Sequence, residues 1–206
     1  MDLSGIVVGA EALIRLRRDD VQLIYPALFI NTLVDTEIIV PVGYWVLVNA
    51  CQECLKWHEN GFSDLKVSVN LSMQQFSSGT MIEDIRKALL ESGLDAEYLE
   101  LELTESLFAE NPDETLMILK AIKAFGIHIS LDDFGTGYSS LSYLRKFPID
   151  CLKIDQSFVK DISTNQDQAN LTESIINMAK ALDMTTVAEG VEEKDQLECL
   201  IKLHVD

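Results

Sequence analysis

Hydrophobic and polar positions alternate along several short stretches of the chain, and the alternation is one-sided. In LKVSVNL, Val67, Val69 and Leu71 take one face of an extended strand while Lys66, Ser68 and Asn70 take the other. YLELELT repeats this with Glu100 and Glu102 on its polar face, and IHISLDD with His128, Ser130 and Asp132. Further strands are predicted over 6–13, in CLKI (151–154) and in TTVAE (185–189), and the tail KLHVD reads as the opening of another. Helical spacing fills the intervals. Helices are predicted over 39–59, stopping at Gly61; near 80–92, stopping at Gly93; and from Asn111-Pro112 to just before Gly126. Others are a short one ending at Lys146, one near 168–182 and one over 192–202, while 14–36 reads as irregular and partly helical.

The resulting order of alternating strands and helices favours a parallel sheet with helices outside it. An open parallel sheet covered on both sides would be apolar on both faces of each strand. Strands with one polar face instead suit a TIM-like (β/α)8 barrel whose lumen becomes an active site at one end. The length of 206 residues allows a single domain over 1–206, near the lower limit for such a barrel, for which ~250 is typical.

A formal net charge of −18 argues against DNA, RNA or an anionic membrane surface as the main partner, so phosphate chemistry here would require cations. No apolar run is long enough to insert in a membrane and no signal peptide opens the chain, which fits a cytoplasmic location. Cys51 and Cys54 lie within the apolar helix GYWVLVNACQECLKW and read as buried structural thiols.

The strand ends carry the chemistry. Successive apolar runs finish at Glu11, Asn70, Glu102, the pair Asp132-Asp133, Lys153 and Glu189. Active sites of β/α barrels form at that C-terminal rim. Two like charges ~4 Å apart repel by about 4 kcal/mol at an effective dielectric near 20, so these carboxylates need cations or protons to stay together. Two divalent ions and Lys153 would balance five carboxylates. An all-oxygen ligand set suits Mg²⁺ or Mn²⁺, and two such ions are suited to in-line attack of water on a phosphodiester. Taken singly, Asp132-Asp133 reads as a solvated turn, Lys153 as a surface lysine, and Arg15 as part of a basic patch with Arg17 and Arg18. Their order at strand ends favours the metal site.

The motifs VGAEALIR (8–15), SVNLS (68–72), ELTES (102–106), DDFGTGYSSLSYL (132–144), LKID (152–155) and AEGVE (188–192) resemble those of the EAL-domain cyclic di-GMP phosphodiesterases, over nearly the whole chain. The resemblance implies a β/α barrel that hydrolyses cyclic di-GMP to linear 5′-pGpG with two Mg²⁺ or Mn²⁺ ions; Ca²⁺, with its longer bonds and higher coordination number, is expected to inhibit. By the same resemblance Glu11, Asn70, Glu102 and Asp132 would hold one ion, and Asp132, Asp133 and Glu189 the second. Lys153, with Glu189, would position or activate the attacking water. Arg15 would contact a substrate phosphate, Glu192 would help bind substrate, and Glu105 would anchor the loop Phe134–Ser140.

The family normally opens with one further strand and closes with another strand and a helix, so the barrel is expected to be incomplete at both ends. Its exposed edges would favour a homodimer, and sensory or cyclase domains are expected to flank this segment. Between Arg15 and Trp45 the sequence departs from the family pattern, with Leu33-Val34 where an alanine-glutamate pair is usual. The alternative function is a receptor or scaffold that no longer turns the nucleotide over.

Overall fold

The structure, a computed structural model, describes residues 5–18, 22–107, 111–135 and 144–206. The strands are β1 (Gly9–Ala12), β2 (Leu16–Arg18), β3 (Gln22–Ile24), β4 (Lys66–Leu71), β5 (Leu99–Thr104), β6 (His128–Phe134), β7 (Cys151–Ile154) and β8 (Thr185–Ala188). The helices are α1 (Ile30–Asp35), α2 (Ile39–Glu59), α3 (Met73–Phe76), α4 (Met81–Ser92), α5 (Pro112–Lys123), α6 (Gln156–Val159), α7 (Gln166–Ala181) and α8 (Lys194–Lys202). Six strands follow the order β1-β4-β5-β6-β7-β8, and the pairs β1–β4, β6–β7 and β7–β8 are parallel. Among the described residues no helix is long and apolar enough to cross a membrane.

The chain forms two compact units, one of Val7–Leu101 with Phe125–Ile127, the other built mainly of Glu102–Ala124 and His128–Asp206. In the first, Val67, Val69 and Leu71 of β4 are buried, as the alternation requires. Helix α2 buries Ile39, Gly43, Leu47, Ala50, Cys51 and Cys54, a stripe of helical period that packs against α4 and β4. Gly43 is part of that packing: a Cβ there would lie 1.7 Å from Gln75 Nε2. Gln75 is itself buried and completes a capping box with Ser72 at the start of α3. Helix α4 stops where expected, at Gly93 in the left-handed region (φ 76°), whose amide donates to Leu89 O at 2.9 Å.

The second unit is centred on β6 and β7. Ile129, Leu131, Leu152 and Ile154 have no exposed surface, and α7 covers β7 and β8 with Ile175, Ile176 and Ala179. Each such fully buried aliphatic side chain contributes about 1.5–3 kcal/mol. Asn165 starts α7 by accepting from the amides of Asp167 and Gln168 at 3.0 and 3.3 Å.

Differences from the sequence reading are local. The stretch 14–36 contains an antiparallel β2–β3 pair as well as α1. The tail is not a strand: Leu203 and His204 form a turn, and Asp206 Oδ2 accepts from Thr186 N and Oγ1, both at 2.9 Å. Those bonds satisfy the β8 amide with a side chain in place of a further strand. Most of the loop FGTGYSS and of the short helix expected to end at Lys146 lies outside the described residues. Cys51 and Cys54 are buried, free thiols.

Candidate functional site

The ends of β5, β6, β7 and the residue after β8 supply one cluster. Lys153 Nζ lies 2.8 Å from Glu102 Oε1, 2.6 Å from Glu189 Oε1 and 3.4 Å from Asp132 Oδ1. Burial alone would lower the lysine's pKa, but the neighbouring carboxylates outweigh it and raise it well above the ordinary value. Lys153 is therefore an ammonium throughout the working pH range. Side-chain exposure grades the acids, from 2% at Glu102 through 13% at Asp132 to 30% at Glu189, so solvent reaches the cluster from the Glu189 side.

A β-bulge explains how two consecutive aspartates share one strand end. Strict alternation would send Asp132 and Asp133 to opposite faces. The register instead pairs Leu131 with Leu152 and Phe134 with Ile154, so the two residues Asp132 and Asp133 stand opposite the single residue Lys153. Asp133 adopts φ 54°, a left-handed conformation uncommon outside glycine and one in which aspartate is among the better tolerated side chains. Gly135 follows at φ 96°, and its amide donates to Glu105 Oε2 at 3.3 Å; Glu105 is buried.

In the other unit, Asn70 Nδ2 donates to Glu11 Oε1 at 2.6 Å, and the β1–β4 register sets Glu11 beside Ser68. Arg15 Nη1 donates to Ile14 O at 2.8 Å, and its guanidinium stacks over the Tyr25 ring at 4.7 Å. Tyr25, an isolated tyrosine in an irregular stretch, carries no pattern in the sequence. The Glu192 amide donates to Gln196 Oε1 at 2.9 Å, and the residue is exposed.

Among the described residues no group of three or more His, Cys, Asp and Glu side chains is arranged to hold a metal by itself. Lys153 stands between the acids instead. The donor set nevertheless fits a divalent ion: three carboxylates around one ammonium leave two negative charges, and Asp132 Oδ1 is buried without a hydrogen bond. The acids of the cluster offer oxygen ligands, which suits Mg²⁺ or Mn²⁺.

The family model "EAL domain" matches residues 1–206. The bifunctional diguanylate cyclase/cyclic di-GMP phosphodiesterase MucR of Pseudomonas aeruginosa is 40% identical over 200 residues, covering 97% of this chain and 29% of that protein. The cyclic di-GMP phosphodiesterase PdeR of Escherichia coli is 38% identical over 188 residues, covering 91% of this chain and 28% of that protein. The chain thus spans less than a third of these relatives' length. Among solved structures, the PaMucR phosphodiesterase in complex with c-di-GMP aligns with a TM-score of 0.94 at 39% identity, over 99% of this chain and 83% of that one. The strand order is that of a partial (β/α)8 barrel of this kind.

Proposed function

This chain belongs to the EAL domain family, and on that footing we propose that it is a divalent-metal-dependent phosphodiesterase that opens cyclic di-GMP to linear 5′-pGpG. The observation that supports this most is the Lys153 cluster, in which an ammonium on β7 is held by carboxylates from β5, β6 and the residue after β8, and two negative charges remain over.

The proposed ligands are Glu11, Asn70, Glu102, Asp132, Asp133 and Glu189. Bound Mg²⁺ or Mn²⁺ would supply Lewis acidity toward the phosphate oxygens and a more acidic water. Lys153, held as an ammonium by its neighbouring carboxylates, serves as a hydrogen-bond donor that orients water and offsets charge. Glu189 is the cluster's most exposed carboxylate and is the group assigned to accept the proton that water loses. Arg15, oriented by the Tyr25 ring, offers its remaining N–H groups to a substrate phosphate. Glu192 is assigned to substrate binding, and Glu105 to anchoring the loop that begins at Gly135.

The test is incubation of the chain with cyclic di-GMP and Mn²⁺ and chromatographic separation of the products, with EDTA and Glu11→Ala as controls. Metal-dependent 5′-pGpG supports the reading. Nucleotide bound but left intact would favour a receptor.

A further inference from the structure

Gly135 is held twice. Its amide is bound by Glu105. Its Cα is covered by an aromatic ring: a Cβ built at Gly135 would fall 2.6 Å from Phe158 Cζ and 2.8 Å from Cε2. The ring therefore occupies the space that any side chain at this position would need. Phe158 itself stands on a fixed base. It belongs to the single-turn helix α6 directly after β7, its amide donates to Asp155 O at 3.0 Å, and its carbonyl accepts from the buried Thr172 Oγ1 of α7 at 3.2 Å.

We propose that Phe158 is a positioning residue for the aspartate pair. The bulge that sets both Asp132 and Asp133 opposite Lys153 in the register leads into two departures from strand geometry, Asp133 at φ 54° and Gly135 at φ 96°. The β6–β7 register slips at this point. The Phe158 ring, from the helix turn directly after β7, adds a packing constraint at Gly135, so the distance between the strand end and the ammonium depends on that packing as well as on strand register. A half-buried phenyl ring suits this role, since it is rigid, has two side-chain torsions, and makes no competing hydrogen bond to the carboxylates. The inference rests on the metal-dependent reading of the site, which Phe158 would serve from outside the ligand set.

Two measurements on the purified chain test it. Free Mn²⁺ is followed by electron paramagnetic resonance for the wild type, Phe158→Ala, Phe158→Leu and Asp132→Asn. Phe158→Ala is expected to weaken Mn²⁺ binding by about tenfold, the scale for groups that orient metal ligands, and Phe158→Leu to restore most of it. Thermal unfolding of Gly135→Ala, Phe158→Ala and the double variant forms a cycle without metal. The added methyl group should lower the melting temperature about twice as much beside Phe158 as in the Phe158→Ala background. Wild-type Mn²⁺ affinity in Phe158→Ala, or additive melting shifts, overturns the proposal. A wild type that binds no Mn²⁺ at all overturns the metal reading and the role of Phe158 toward the ions; the cycle then decides whether the ring clamps Gly135.

Discussion

Replacing Lys153 by methionine keeps the approximate length of the side chain and removes its charge, leaving Glu102 buried at 2% exposure beside Asp132 and Glu189. At an effective dielectric near 20, the two short contacts are each worth about 6 kcal/mol and the longer one about 5 kcal/mol. Desolvation of the ammonium and mutual repulsion of the acids offset most of that sum. Breaking a buried ion pair by removing one partner leaves a net cost of about 3–5 kcal/mol. For a chain of this size that corresponds to a fall in Tm of about 6–20 °C. The comparison is to be made by scanning calorimetry in EDTA at pH 7.5. The sign of the linkage supports that choice: a raised lysine pKa gives stability that is fully present below the unfolded value, ~10.4, and fades only as pH rises toward the folded value. Millimolar Mn²⁺ should recover part of the loss, because the ion replaces the missing positive charge. A Tm within about 2 °C of the wild type in EDTA would refute the electrostatic account of the cluster.

The Gly43→Ala variant should lose about 1–3 kcal/mol in urea denaturation, since the methyl group displaces Gln75 and opens the Ser72 capping box; unchanged or higher stability would show that the helix yields instead. Burial pushes the Cys51 thiol up to about 12, so Cys51 should alkylate much more slowly than the partly exposed Cys199 at pH 8. The same shift implies stability that is full below the ordinary thiol range and declines as pH rises from ~8.5 toward 12; flat stability across that interval would contradict it. If the site is built for the smaller Mg²⁺ or Mn²⁺ ion, substituting Ca²⁺ for Mn²⁺ should abolish turnover, because Ca²⁺ takes longer bonds and a higher coordination number; equal rates with the two ions would disprove this.

Much of the fold is legible because its signals are local. Val67, Val69 and Leu71 mark β4 by alternation, the glycines at 61 and 93 end two helices by their backbone freedom, and Pro112 opens a third. Three-residue strands such as Leu16–Arg18 and Gln22–Ile24 are too short to display a period, so the β2–β3 pair was not visible. The site is legible in its residue types but not in its geometry. Alternation separates Asp132 from Asp133, and only the register slip against β7 brings them to the same position opposite Lys153. Likewise, the sequence places Lys153, Glu102 and Glu189 at strand ends, while their short contacts depend on residues far apart in the chain. The Phe158–Gly135 contact has no local sequence signature, because it joins a helix turn to a strand end through the tertiary fold.

The most direct test of the central claim, that water attacks a phosphodiester at this cluster, is mass spectrometry of the product formed from cyclic di-GMP and Mn²⁺ in H₂¹⁸O. The account predicts 5′-pGpG carrying a single ¹⁸O in its terminal phosphate, and no product from Asp132→Asn. Absence of product from the wild type, or product without the label, would contradict it.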